Sequence, residues 1–144
     1  MALRLTLKPN ERIVVNGCVI RNANRRQTLQ IENTADVIRA EDLLDENCEP
    51  TPVKQAYFLI QTALIRADTR DTLVPVIQEK LADLATIFSA PVVGGVFEAA
   101  NWVSQGDYYK ALSALRPVMR REEELFARLS ETASPAVALE GEEC

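Results

Sequence analysis

The chain opens with apolar residues in strict alternation. Leu3, Leu5 and Leu7 are separated by Arg4, Thr6 and Lys8. Period two is the signature of a strand with one buried face. Lys8-Pro9-Asn10-Glu11 then reads as a turn, because proline presets φ and asparagine tolerates unusual dihedrals. Arg12 to Val15 is β-branched and apolar, and Asn16-Gly17 is a two-residue hairpin signal of the type that needs positive φ at both positions. Cys18 to Arg21 returns as a strand. Asn22 to Arg26 is a second turn, and Thr28 to Glu32 alternates again. The first 33 residues therefore predict a four-stranded antiparallel meander. A sheet this small buries little alone. It must close into a barrel, dimerise, or pack on the helices that follow. Val37 to Leu44 predicts a short strand or a helical turn, and Asp45 to Pro52 a polar linker.

The period changes at residue 51. Thr51 is an N-cap and Pro52 a first helical residue. Ala56, Leu59, Ile60, Ala63 and Leu64 then follow helical spacing. A second helix is expected with Thr72 as its cap, Pro75 in its first turn and one stripe of Leu73, Ile77, Leu81, Leu84 and Phe88. The wide apolar faces of these two helices are read as packing inside a bundle. A third helix spans 92–104, weakened at its start by Gly94-Gly95. A fourth spans 108–129, capped by Asp107, and Pro117 is expected to kink it or split it after Leu115. Arg120 to Glu124 reads as a solvated face with i,i+3 and i,i+4 pairs. Residues 131–144 hold four glutamates and no base, which predicts a disordered acidic tail. The fold class is α+β: a β-lobe over 1–50, an antiparallel helical bundle over 51–130, and the tail.

Composition narrows the chemistry. The 144 residues contain no histidine, which excludes Ser-His-Asp and Cys-His catalysis and a histidine pH switch. Cys18, Cys48 and Cys144 form no C-x-x-C pair, and no G-x-G-x-x-G or Lys-Ser/Thr phosphate loop occurs. Asp42, Asp45 and Glu46 cluster near the linker but lack catalytic partners, and read as solvated or capping acids. No enzyme and no cofactor or metal is expected. Without a signal core or an apolar run long enough for a span, the chain reads as a cytoplasmic, non-membrane protein.

Charge changes the picture most. The chain carries −5 overall, yet residues 1–31 hold six bases (Arg4, Lys8, Arg12, Arg21, Arg25, Arg26) against the single acid Glu11. That segment is +5 and the remainder −10. Such asymmetry points to nucleic acid, and arginine pairs bidentately with phosphate or a guanine edge. Single-strand platforms stack bases on aromatic rings. Residues 1–31 contain none, so contact there relies on arginine, backbone and shape.

The stretch Leu3-Arg4-Leu5-Thr6-Leu7-Lys8-Pro9-Asn10-Glu11-Arg12, with Val15-Asn16-Gly17, Val19-Ile20-Arg21-Asn22 and Ile31-Glu32-Asn33, resembles the start of the FlbT family. Thr51-Pro52, Tyr57 to Gln61 and Gly106 to Leu112 are also similar, so the resemblance covers residues 2–129. It implies a post-transcriptional regulator of flagellin synthesis that acts on the 5′ leader of flagellin mRNA. In that family the effect is to restrain translation and promote decay, or in some bacteria to activate. FlaF, a small helical protein, belongs to the same circuit.

A weaker resemblance is to CsrA-type RNA-binding regulators, through Leu5-Thr6, Gly17, Ile31 and Val37 to Asp42. It implies Arg39 as a further RNA-reading residue and a homodimer through the β-lobe. The paired arginines of that family's first strand are Leu7 and Lys8 here, a departure that leaves Lys8 for phosphate alone. Two functional readings follow. In the first, the basic lobe binds the flagellin leader through Arg4, Lys8, Arg12, Arg21, Arg25, Arg26 and Arg39. In the second, the helical lobe is an adaptor for flagellin, FlaF or another assembly factor, and translation is affected indirectly.

Overall fold

The computed structural model describes residues 3–45, 47 and 50–132. The chain divides into two compact units, Met1–Leu43 and Leu44–Cys144. The class is α+β, as the change of period at residue 51 implies.

Among the described residues the first unit has five strands: β1 (Leu3–Leu7), β2 (Arg12–Val15), β3 (Cys18–Arg21), β4 (Gln27–Ile31) and β5 (Val37–Ile38). Asn16 and Gly17 sit at φ of 50° and 83°, closing the β2–β3 hairpin as their sequence demands. The meander, however, does not form. β1 pairs antiparallel with β4, and the second sheet has the order β3-β2-β5. The reason lies in the side chains. Pairing β1 with β4 sets Leu5 opposite Leu29 and Leu3 opposite Ile31, apolar against apolar. The 8–11 turn closes with Glu11 N donating to Lys8 O, and the chain then enters the other sheet. Leu5, Leu7 and Ile13 form the centre of the core, with Val15, Ile20, Leu29, Ile31 and Val37 packed around them. Both alternatives for 37–44 occur in succession: β5, then a single 3-10 turn over Ala40–Asp42.

The second unit holds α1 (Pro52–Ile65), α2 (Arg70–Ala85), α3 (Val93–Ser104) and α4 (Tyr108–Thr132). α4 packs on α1 and α3, and α2 on the same two helices. Thr51 caps α1 by accepting from Lys54 N, and Asp107 caps α4 by accepting from Lys110 N at 3.1 Å. Ala56, Ile60 and Ala63 of α1 and Ile77, Leu81 and Leu84 of α2 are buried, so those faces do pack within the bundle. Gln61, which interrupts the apolar run of α1, is buried as well. It clamps Leu44 by accepting from its N–H (2.9 Å) and donating to its carbonyl (3.0 Å).

Three expectations change. α2 begins at Arg70 rather than after Thr72, because a 3-10 turn over Ala67–Thr69 runs straight into it. Arg70 also donates to the Ala63 and Leu64 carbonyls at the end of α1, at 2.7 and 3.1 Å. Pro75 therefore lies inside the helix rather than in its first turn. α4 is not split at Pro117. Leu115 and Val118 on either side are both fully buried, and a break would pull one of them from the core. Finally, the 120–124 face is solvated only in part. Arg121 and Glu124 form the expected i,i+3 pair at 3.1 Å, but Glu122 is only 5% exposed. Its carboxylate accepts from Thr51 Oγ1 and, at 3.0 Å, from Val53 N, closing the N-terminus of α1.

The expected tail begins at residue 131. Residues 131 and 132 complete α4, and the rest lies outside the described residues.

Candidate nucleic-acid interface

The strand directions of the first unit decide where its cations collect. β1 ends, β2 begins, β3 ends and β4 begins at the same pole, so the turns 8–11 and 22–26 adjoin there. Backbone bonds join them: Asn10 N donates to Ala23 O at 2.9 Å, and Asn22 N to Glu11 O at 2.8 Å. The Asn22 side chain completes the junction. It is buried, and its Nδ2 is shared among the carbonyls of Leu7 (3.2 Å), Lys8 (2.8 Å) and Arg25 (3.0 Å). One amide thus ties the end of β1 to the loop before β4.

This junction brings five of the seven expected residues together. Arg12 and Arg21 are Cα partners across the β2–β3 ladder, and both are exposed. Like charges set directly opposite each other are unfavourable in a sheet, and Arg21 Nη1 donates to Asn10 O at 3.4 Å. Lys8 and Arg26 lie one step beyond the last registered β1–β4 pair, Leu7 with Gln27, and Arg25 adjoins them; all three are exposed. The acid within these turns, Glu11, faces inward. One carboxylate oxygen accepts from Lys8 N at 2.8 Å, and the other lies 3.5 Å from Arg39 Nη2. Glu32 and Asp36 sit toward the other pole, where Asp36 bonds Asn16 of the β2–β3 hairpin.

The remaining two residues are placed differently. Arg4 is exposed on β1 opposite Gln30, four residues before Lys8. Arg39 is a structural tie. Besides Glu11 it donates to Thr6 O at 3.2 Å, and its side chain is only 36% exposed. It joins β1, the 8–11 turn and the end of β5, and in doing so neutralises Glu11 rather than offering a free guanidinium.

Sequence reasoning missed Asn22 as the organiser. The available signal was an asparagine directly after a strand and before an arginine-rich loop, a position where its amide can hold backbone carbonyls. Among the described residues, no group of three or more His, Cys, Asp or Glu could hold a metal, and no helix is long and apolar enough to cross a membrane.

Comparison with known proteins agrees with the early motif match. The family model "Flagellar protein FlbT" matches residues 3–126, the whole of this junction and most of the bundle. The chain belongs to the FlbT family. Its relatives include the "Probable flagellum biosynthesis repressor protein FlbT" of Rhodopseudomonas palustris (strain TIE-1), 37% identical over 131 residues, which covers 89% of this chain and all of that protein. The "Flagellum biosynthesis repressor protein FlbT" of Caulobacter vibrioides (strain ATCC 19089 / CIP 103742 / CB 15) is 29% identical over 135 residues, 93% of this chain and 96% of its own. The "Probable flagellum biosynthesis repressor protein FlbT 1" of Bradyrhizobium diazoefficiens is 32% identical over 140 residues, 96% and 94% of the two chains. No solved structure matches the chain.

Proposed function

We propose that this protein is a regulator of flagellum biosynthesis that acts after transcription, by binding the 5′ leader of flagellin mRNA through the basic junction of its first unit. The names of the relatives support the regulatory part. One observation supports the RNA part. Lys8, Arg12, Arg21, Arg25 and Arg26 are exposed on adjoining turns, while Glu11, the acid among them, is engaged by Lys8 N and Arg39. A patch of unneutralised arginines on hydrogen-bonded turns is suited to phosphates and unpaired base edges of an RNA leader. The first 31 residues contain no aromatic ring, so recognition rests on charge and shape rather than stacking.

The test is binding of the purified full chain to flagellin leader RNA, with a scrambled RNA as control. Preference for the leader, lost in Arg25→Glu/Arg26→Glu while the far-UV spectrum is unchanged, is the expected result. Equal affinity of wild type and double variant would place the contact elsewhere.

A further inference from the structure

Charge alone is blind to sequence. Cations on phosphate fix where a nucleic acid lies, and groups that reach base edges decide which sequence is held. Turns 8–11 and 22–26 hold few side chains suited to that second task besides their arginines. Pro9 and Ala23 carry no polar side-chain atom. Glu11 is engaged by Lys8 N and Arg39, and the buried Asn22 spends its amide on three carbonyls. Two neutral polar side chains are left, Asn10 and Asn24, and both are exposed.

The backbone holds Asn10 and leaves its carboxamide out. Asn10 N donates to Ala23 O at 2.9 Å, and Asn10 O accepts from Arg21 Nη1 at 3.4 Å. The same bond sets the two asparagines side by side, since the covalent and hydrogen-bonded path from Asn10 Cα to Asn24 Cα is only about 8 Å long. Among the described residues neither carboxamide has a hydrogen-bond partner. A left-handed φ of 63° accounts for an asparagine at position 10, where glycine would serve as well. Position 24 is not at positive φ, so conformation does not account for its asparagine.

A carboxamide carries an acceptor and two donors in one plane. Adenine sets N7, an acceptor, beside N6–H, a donor, and asparagine meets both at once. In single-stranded RNA those edges are open to side chains. We propose that Asn10 and Asn24 are the specificity-determining residues of the basic junction and take unpaired adenines, while Lys8, Arg12, Arg21, Arg25 and Arg26 hold the flanking phosphates. The inference rests on the RNA-binding reading above and adds to it the class of base. Lys8 and Arg12 bracket Asn10 two residues away on either side, and Arg25 and Arg26 follow Asn24 directly, so each carboxamide has cations beside it for the phosphates of the base it reads.

Binding of the full chain to single-stranded oligo(A), oligo(U) and oligo(C) of equal length tests this, because the three carry the same phosphates and differ only in base. Wild type should prefer oligo(A) by roughly tenfold or more. An oligomer of 7-deazaadenosine, which lacks N7, should lose that preference. Asn10→Gly/Asn24→Ala should bind all three alike with the wild-type salt slope, because it removes both carboxamides and no cation. Glycine keeps the left-handed φ at position 10, so the far-UV spectrum should be unaltered. A preference for oligo(A) that survives in the double variant would overturn the proposal. So would equal, salt-sensitive binding of all three by wild type, and either result leaves the phosphate contacts standing. Absence of binding to every oligomer would overturn the RNA-binding reading, and this inference with it.

Discussion

Asn22 and Glu122 are both buried polar side chains that hold backbone, and they serve opposite ends. Asn22 donates to three carbonyls from two separate turns and so gathers Lys8, Arg12, Arg21, Arg25 and Arg26 at the surface. Glu122 accepts from Thr51 and Val53 and closes the start of α1 inside the bundle. The first polar network positions an exposed charged surface; the second completes a core. Burial alone does not separate them. What separates them is the character of the groups each one brings together: in the β-unit, exposed cations whose neighbouring acid, Glu11, is engaged by Lys8 N and Arg39; in the helical unit, a helix terminus and an apolar face.

That contrast can be broken in order of effect. Charge reversal at the sheet pair, Arg12→Glu/Arg21→Glu, should weaken leader binding by roughly tenfold or more at physiological salt, and each cation removed should lower the log–log salt slope by about 0.7. Filter binding across a salt series reads both. An unchanged slope would show that these arginines face no phosphate. Next comes Asn22→Ala, which strips three carbonyls of their shared donor. It should cost about 1–3 kcal/mol in urea denaturation and weaken RNA binding as well, since the turns lose their tie.

Glu122→Ala should cost a similar amount, about 1–3 kcal/mol, but leave RNA affinity as it was. If it reduced RNA binding as much as Asn22→Ala does, the division of labour between the two networks would fail. The smallest effects distinguish two adjacent glycines. A Cβ on Gly95 would meet Ala114 O and Val118 Cγ2 at 2.8 Å, whereas one on Gly94 would meet nothing within 4 Å. Gly95→Ala should therefore destabilise by about 1–3 kcal/mol through overpacking against α4. Gly94→Ala, in open space, should gain up to about 1 kcal/mol of helix propensity. Thermal melts of the two variants, displaced in opposite directions, would confirm that the α3–α4 approach is set at Gly95.

The elements of the helical unit were legible because their signals are local. Thr51-Pro52 and Asp107 announce helix starts through their own side chains, and the 3.6 period of Ile77, Leu81 and Leu84 identifies a core face directly. The Asn16-Gly17 hairpin was legible for the same reason. The pairing of β1 with β4 was not, because it joins residues 20 to 28 positions apart and nothing in a short alternating strand names its partner. The site inherited that blindness. The basic residues were visible as a count, but their convergence depends on the non-local pairing and on Asn22. Arg39 and Glu11 looked like one more cation and a stray acid, and only the fold pairs them with each other. Glu122 was hidden in a run of charges whose neighbours are solvated, since helical phase rather than composition turns it inward.

The most direct test of the basic junction is ultraviolet cross-linking of the full chain to flagellin leader RNA, with the adducts mapped by mass spectrometry. Adducts concentrated in residues 8–12 and 21–26 are the expected result. Adducts confined to the helices of residues 52–132, with those turns untouched, would contradict it.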